Sequence, residues 1–152
     1  MTGISIFVAS GDAGAATNQN LDCKDTVQPI QPEYPAACPW VTTVGGTMFS
    51  SASVLSSPLP YFCQKERVTC AGSGVEVVSQ VPEALITGGG GFSDVAPTPA
   101  WQAAQVKTYL STSPLIPPSS DFNAAGRAYP DITALAHHYM IVEKGFSSAV
   151  DG

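Results

Sequence analysis

The sequence predicts an α/β fold, because short apolar segments alternate with polar loops and with one clear helix. Residues 4–9 are apolar and rich in β-branched side chains, which is typical of a fully buried strand. Residues 99–110 begin with Pro99 and place Trp101, Ala104 and Val106 along one side, which indicates a helix. At 152 residues and 44% hydrophobic content, the chain is long enough for a core.

Further segments follow the same alternation along the chain. Strands are also expected at residues 40–47, 75–78, 131–136 and 139–142. A long polar loop spans residues 11–39, and a proline-rich loop spans residues 111–120. Residues 55–87 are interpreted as a surface insertion. No repeat or linker divides the chain, so we treat residues 1–152 as part of one domain.

The composition excludes two classes of partner. The net charge is −6, and Lys and Arg form no cluster, so a nucleic-acid partner is not expected. No apolar run has the length of a membrane span, so no membrane partner is expected either. Charged residues make up 12% of the chain, against a usual fraction of about 25%. A chain with so few charged residues either has much of its surface covered by the rest of a larger protein or works in conditions in which surface charge has little effect.

The four cysteines are Cys23, Cys38, Cys63 and Cys70. None forms a C-x-x-C pair, and the chain has only 2 histidines, so the spacing argues against a zinc site. An even count fits disulfides in a secreted or lysosomal protein, with Cys63 and Cys70 as the nearest pair. The alternative is that some are buried thiols. A secreted or lysosomal protein would need a signal sequence upstream of Met1.

Asp12 is the first candidate functional residue. It follows the strand at residues 4–9 and sits between Gly11 and Gly14, so its carboxylate can be directed into a cleft. The simpler interpretation is a turn former, because Asp bonds its own backbone and tolerates unusual dihedral angles.

Three other features have simpler interpretations as well. His137 and His138 suggest a general base, but no nucleophile motif accompanies them, and neighbours on a strand face opposite ways. We interpret them as a surface or structural pair. Residues 88–91 are all glycine without a phosphate-loop lysine, which favours a close backbone approach. Arg127 and Asp131 are interpreted as a buried ion pair that supports the site.

Four ordered motifs resemble the sedolisins, the serine-carboxyl peptidases with a subtilisin-like fold. The first is the Ser10-Gly11-Asp12 turn, and the second, at residues 34–47, is similar to P-A-S-x-P-x-V-T-x-V-G-G-T. The third, at residues 89–93, matches G-G-G-F-S. The fourth, at residues 117–132, resembles most the tripeptidyl-peptidase I branch. The resemblance implies a three-layer fold with a mostly parallel sheet.

The resemblance also implies site roles. Asp12 occupies the place of the residue that donates a hydrogen bond to the tetrahedral oxyanion. A carboxylate only accepts hydrogen bonds, so Asp12 must be protonated to donate, and this ties activity to acid pH. Ser10 and Gly11 would form part of the wall of the pocket for the substrate side chain before the scissile bond.

The rest of the family machinery is not found in these 152 residues. Gly152 matches the first residue of the nucleophile motif G-T-S-x-S, and no Glu has an Asp four residues later to form the family's base pair. We therefore expect the isolated chain to be inactive. No cofactor is expected in this chain, and the calcium ligands of the complete family domain would lie outside it.

The resemblance implies a fragment of an acid-acting peptidase. It would act on peptide or protein substrates, as a tripeptidyl-peptidase at free N-termini, in a lysosome-like compartment or outside the cell. Two alternatives stay open at this point. One is a sedolisin-like endopeptidase, and the other is a non-catalytic piece that binds peptides or a partner protein.

Overall fold

The computed structural model describes residues 3–15, 30–54, 58–59, 61–67 and 70–152. These residues form strands and two helices. In chain order the elements are β1 (Phe7–Ala9), β2 (Thr42–Val54), α1 (Tyr61–Glu66), β3 (Ala71–Val78), β4 (Gly91–Pro97), α2 (Ala103–Thr112), β5 (Gly126–Tyr129), β6 (Ile132–Leu135), β7 (Tyr139–Glu143) and β8 (Phe146–Val150).

The long strand β2 organises the main sheet. Its first residues pair in parallel with β1, and Val44 to Thr47 pair in parallel with β6. Its second half pairs antiparallel with β3. The described strands therefore include parallel and antiparallel pairs, and the sheet is mixed where the sequence predicted a mostly parallel one. The described residues combine mixed and antiparallel sheets with two short helices, which agrees with the predicted α/β class only in containing both kinds of element.

The segment interpreted as an insertion extends this sheet. Strand β3 lies within it and continues the ladder of β2 as far as the pair Val54 and Ala71. A disulfide joins Cys63, which is on α1, to Cys70, as the sequence predicted. Cys38 has no disulfide partner among the described residues, and Cys23 lies outside them.

Helix α2 begins later than predicted, at Ala103, because residues 100–102 form a turn in which the Gln102 N–H donates to the Pro99 carbonyl at 3.0 Å. Val106 is buried as expected, whereas the Trp101 side chain is 60% exposed. Before and after the helix lie β4 and β5, which pair antiparallel. The sequence did not predict these two strands.

The prediction of a fully buried strand at residues 4–9 is wrong. Only Phe7–Ala9 form a strand, and the Ile4 and Phe7 side chains are 77% and 62% exposed. The reason is that β1 pairs with β2 alone among the described strands, and no described layer covers its apolar side chains. Among the described residues the buried core is small. One cluster contains Met48, Ala84, Ile86 and Ala136, and a second contains Ala36, Ala37 and Tyr129.

The end of the chain forms a hairpin. Strands β7 and β8 pair antiparallel, from Tyr139 opposite Val150 to Glu143 opposite Phe146. The turn between them uses Lys144 and Gly145, both with positive φ, which matches the right-handed twist of the strands. Neither described helix has the length and apolar character that a membrane crossing requires.

Candidate active-site turn

The candidate site begins where β1 ends. The Ser10 N–H donates to the Val44 carbonyl at 2.9 Å, so the parallel ladder continues one residue beyond the strand. Ser10 is 2% exposed. The chain then turns at Gly11, whose φ of 95° is unfavourable for any residue with a Cβ atom. This combination fixes the backbone that carries Asp12.

A second segment, residues 87–90, holds the turn from the other side. The Thr87 N–H donates to the Asp12 carbonyl at 2.8 Å, and the Gly14 N–H donates to the Thr87 carbonyl at 2.9 Å. The Gly89 N–H donates to the Gly11 carbonyl at 2.7 Å. The backbone on both sides of Asp12 is therefore anchored by residues more than 70 positions later in the chain.

The glycine run at residues 88–91 makes this contact possible. A Cβ atom on Gly89 would lie 2.0 Å from the Ser10 carbonyl oxygen, and one on Gly88 would lie 2.9 Å from the Gly46 carbonyl oxygen. These distances leave no room for a side chain. The interpretation of the run as a close backbone approach is confirmed by this packing, which brings two of the quoted motifs together.

The Asp12 side chain itself is exposed. Within the described part of the chain its carboxylate accepts no hydrogen bond, while its backbone carbonyl is held by Thr87. The geometry thus combines a fixed main chain with a side chain that is free to contact a ligand. Ser10 is buried and Gly11 is half-buried, so Ser10 meets a ligand less readily than Asp12 does.

Glu33 and Tyr129 pack behind the turn. A Cβ atom on Gly11 would lie 3.2 Å from Cγ of Glu33, and the Glu33 N–H donates to the Tyr129 hydroxyl at 2.8 Å. Burial raises the pKa of Tyr129 above its ordinary value, although the Glu33 N–H and the Arg127 charge oppose this effect. Sequence reasoning missed this support, because nothing in the spacing of residues 33 and 129 connects them.

Arg127 and Asp131 form the buried ion pair that the sequence predicted. The Arg127 side chain is 0% exposed and that of Asp131 is 11% exposed, and Nη2 of Arg127 donates to Oδ2 of Asp131. The same guanidinium group donates to the carbonyls of Val41 and Ala128. Oδ2 of Asp131 also accepts the Thr43 N–H at 2.7 Å. The pair therefore connects β5 to the start of β2.

Gln102 completes this network from the turn before α2. Its side chain donates to the Ala128 carbonyl at 2.6 Å and accepts the Ala128 N–H at 3.0 Å. These two hydrogen bonds to the Ala128 backbone hold the start of α2 against β5. The network positions the sheet on which the Asp12 turn rests and does not touch Asp12 itself.

A cavity of about 710 Å³ lies between the glycine run and α2. Its walls include Gly45, Gly46, Tyr109 and Tyr129, but none of Ser10, Gly11 and Asp12. The cavity therefore adjoins the elements that hold the turn and is separate from the candidate oxyanion residue.

His137 and His138 do not face opposite ways, which corrects the expectation that they lie on a strand. β6 ends at Leu135, and His138 has a φ of 52°, so the chain bends and the two rings stack with their centroids 3.9 Å apart. His137 Nδ1 lies 3.1 Å from Oδ2 of Asp151. No nucleophilic side chain is among their contacts in the described residues, so they form no catalytic triad there.

Asp151 is held as an anion. Its side chain is 4% exposed, and it accepts the Leu85 and His138 N–H groups, each at 2.8 Å. Burial alone would raise the pKa of Asp151, but these two hydrogen bonds and His137 outweigh burial and lower the pKa to about 2.

Comparisons with known proteins agree with the motifs. The chain is 40% identical to physarolisin of Physarum polycephalum over 99% of its length, and 42% identical to tripeptidyl-peptidase 1 of Bos taurus over 92%. Human tripeptidyl-peptidase 1 is 37% identical over 92% of the chain. The chain spans 26% of the length of physarolisin and 20% of that of each tripeptidyl-peptidase 1.

Two further comparisons add little. No protein-family model matches the chain. The solved structure of Pseudomonas sedolisin, a serine-carboxyl proteinase complexed with pseudo-iodotyrostatin, aligns with 97% of the chain and 33% of its own, at 22% identity and a TM-score of 0.49, a likeness too weak to support a conclusion. The ordered motifs and the curated relatives together show that the chain belongs to the sedolisin family of serine-carboxyl peptidases and is similar to tripeptidyl-peptidase 1.

Proposed function

We propose that the protein carrying this chain is an acid-acting serine-carboxyl peptidase that removes tripeptides from free N-termini of peptides and proteins. The observation that carries the proposal is the anchored turn at Asp12, an exposed carboxyl group on a backbone fixed from two sides. The tripeptidyl-peptidase 1 relatives, at 37% to 42% identity, support the choice of substrate.

In the proposed reaction Asp12 stabilises the oxyanion. A serine of the complete protein attacks the peptide carbonyl, and a glutamate supported by an aspartate takes its proton. The carbonyl oxygen becomes an oxyanion, to which the protonated Asp12 carboxyl donates a hydrogen bond. One such donor contributes about 10²–10³ in turnover in well-known hydrolases. The anchored main chain matters because a donor stabilises the transition state best when it does not reorganise.

The supporting network has a part in this proposal. Glu33 packs against Gly11, and its N–H donates to the hydroxyl of Tyr129 on β5, so β5 supports the turn through Glu33. The Arg127–Asp131 pair fixes β5 to β2 in the same region. Ser10 and Gly11 are proposed to form part of the wall of the pocket for the substrate side chain. This pocket is distinct from the cavity of about 710 Å³, which neither residue lines.

We also propose the context in which the site works. Residues 1–152 form part of a three-layer, subtilisin-like peptidase domain, in which further layers cover the exposed apolar side chains of β1. The compartment is acidic and lysosome-like or extracellular, consistent with the Cys63–Cys70 disulfide. Partners other than peptide or protein substrates are not part of the proposal.

Calcium, which the family resemblance implies for the complete domain, does not fit the described residues. Calcium takes six to eight oxygen ligands. The described cluster with metal-ligating side chains consists of His137, His138 and Asp151, in which two of the three donors are imidazole nitrogens. We therefore assign no calcium ligand to this part of the chain.

The test uses a matched pair of peptides with the full translated protein that carries this chain. One peptide has a free N-terminus, and the other has the same sequence with an acetylated N-terminus. We expect an N-terminal tripeptide from the free peptide alone, at acid pH and not at neutral pH, when products are identified by mass spectrometry. Internal cleavage of both peptides would instead establish an endopeptidase, and cleavage of neither would contradict the peptidase assignment.

A further inference from the structure

The hairpin of β7 and β8 brings three metal-ligating side chains together. The ladder pairs Tyr139 with Val150, so the next step along the same register places His138 opposite Asp151. The Gly152 N–H donates to the Ala136 carbonyl at 2.9 Å, one residue out of this register, so the two segments stay side by side beyond the ladder. The meeting of His137, His138 and Asp151 is therefore fixed by the backbone.

The donor atoms lie close to one another. One nitrogen from each imidazole and one oxygen from the Asp151 carboxylate all fall within 4.8 Å of each other. A tetrahedral zinc site with bonds of about 2.0–2.2 Å places neighbouring donors about 3.3–3.6 Å apart. The His138 side chain is exposed, so its ring can turn toward the other donors without any change in the backbone.

The chemistry of the donors selects the class of metal. Two imidazoles and one carboxylate suit zinc and other divalent transition metals, whereas calcium and magnesium prefer oxygen donors alone. The carboxylate is held in place by the Leu85 and His138 N–H groups, and hydrogen bonds of this kind orient a ligating carboxylate. Its negative charge offsets part of the charge of a divalent ion, and among the described residues His137 is the side chain that pairs with it.

We propose that His137, His138 and Asp151 bind one divalent transition-metal ion of the zinc class, with water in the remaining position. The site does not depend on the proposed peptidase activity. It links the end of β6, the end of β8 and, through the Leu85 N–H, the loop at residues 81–86. Bound metal therefore stabilises the base of the hairpin.

The alternative is a structural cluster without metal, in which His137 serves only as a hydrogen-bond partner of Asp151. The two alternatives differ at His138. The His138 ring makes a stacking contact with His137 but no described hydrogen bond. A structural cluster without metal therefore does not require the nitrogen atoms of this ring. A metal site requires its nitrogen as a ligand.

The experiment titrates the full translated protein with Zn²⁺ at neutral pH in a calorimeter. We expect His138→Gln to remove one equivalent of bound zinc or to weaken that equivalent by at least about tenfold, the size of effect seen even for indirect changes at metal sites. His137→Gln should do the same. The control is Asp94→Asn, which removes an exposed carboxylate on β4 and should leave binding unchanged.

Two further readouts separate ligation from folding. Co²⁺ in place of Zn²⁺ should give visible ligand-field bands that His138→Gln weakens, and Zn²⁺ should raise the thermal midpoint of the wild type more than that of the variant. Ca²⁺ at the same concentration should do neither. Unchanged zinc stoichiometry and affinity in His138→Gln, with circular dichroism confirming its fold, would overturn the proposal, as would the absence of zinc binding in the wild type.

Discussion

Gly89 lies so close to Ser10 that a Cβ atom on Gly89 would stand 2.0 Å from the Ser10 carbonyl oxygen. Its N–H group also donates to the Gly11 carbonyl at 2.7 Å. The glycine thus contacts both residues before Asp12 through backbone atoms alone. The position of the candidate oxyanion residue depends on the absence of a side chain 77 residues further along the chain.

Substituting this glycine should displace the turn. We expect Gly89→Ala to lower the free energy of unfolding by about 1–3 kcal/mol or more, because neither backbone can yield without breaking the hydrogen bonds around Asp12. Gly90→Ala is the matched control, since its Cβ would lie 3.3 Å from the Tyr129 carbonyl oxygen. Urea unfolding measures the free energy of unfolding of both variants. Equal losses of stability in Gly89→Ala and Gly90→Ala would show that the close approach of Gly89 to Ser10 is not the cause.

The buried ion pair gives a second prediction. Arg127→Ala leaves the Asp131 carboxylate, which is 11% exposed, without its cation, and breaking a buried pair from one side costs about 3–5 kcal/mol. Lys144→Ala removes the cation of an exposed pair with Glu143 and should cost less than about 1 kcal/mol. Denaturant midpoints measure both. A cost for Arg127→Ala no larger than that for Lys144→Ala would refute the scaffold role.

Tyr129 gives a pH dependence of stability. Burial raises its pKa in the folded state above the ordinary value of 10.0, so the folded protein holds this proton more tightly than the unfolded chain does. The resulting stability is fully present below about pH 10 and is lost as pH rises through the higher, folded-state pKa. Tyr129→Phe should remove this dependence.

The measurement is the difference in unfolding free energy between wild type and Tyr129→Phe. At neutral pH the variant should be less stable by about 1–2 kcal/mol, because the Glu33 N–H loses its acceptor. The difference should shrink as pH rises above about 10. A difference that stays constant across that range would contradict the raised pKa.

Local patterns in the sequence predicted much of what surrounds the site. The positions of β2, β3, β6 and β7 followed from β-branched runs, and the disulfide and the Arg127–Asp131 pair followed from short spacings. Strands β4 and β5 were missed, because β4 begins in a glycine run and the two pair across the intervening helix α2. Neither strand has the alternating apolar pattern that identifies a strand from its own residues.

The contacts that position Asp12 could not be predicted from spacing. Glu33 and Tyr129 meet across 96 positions, and Thr87 reaches Asp12 across 75. The relative orientation of His137 and His138 was misjudged for a local reason. A positive φ at His138 is uncommon for a residue with a side chain, and it bends the chain out of the strand. The hairpin then brings Asp151 to these rings, and its strand β8 was not predicted.

The most direct test of the account is the pH profile of kcat for Asp12 variants in the full translated protein. Asp12→Ala should lower kcat by about 10²–10³ with little change in KM, because a donor to the oxyanion is lost. Asp12→Asn should keep activity at neutral pH, since an amide donates at every pH. The exposed Asp94→Asn should behave as the wild type. A wild-type kcat in Asp12→Ala would contradict the assignment of Asp12 as the oxyanion donor.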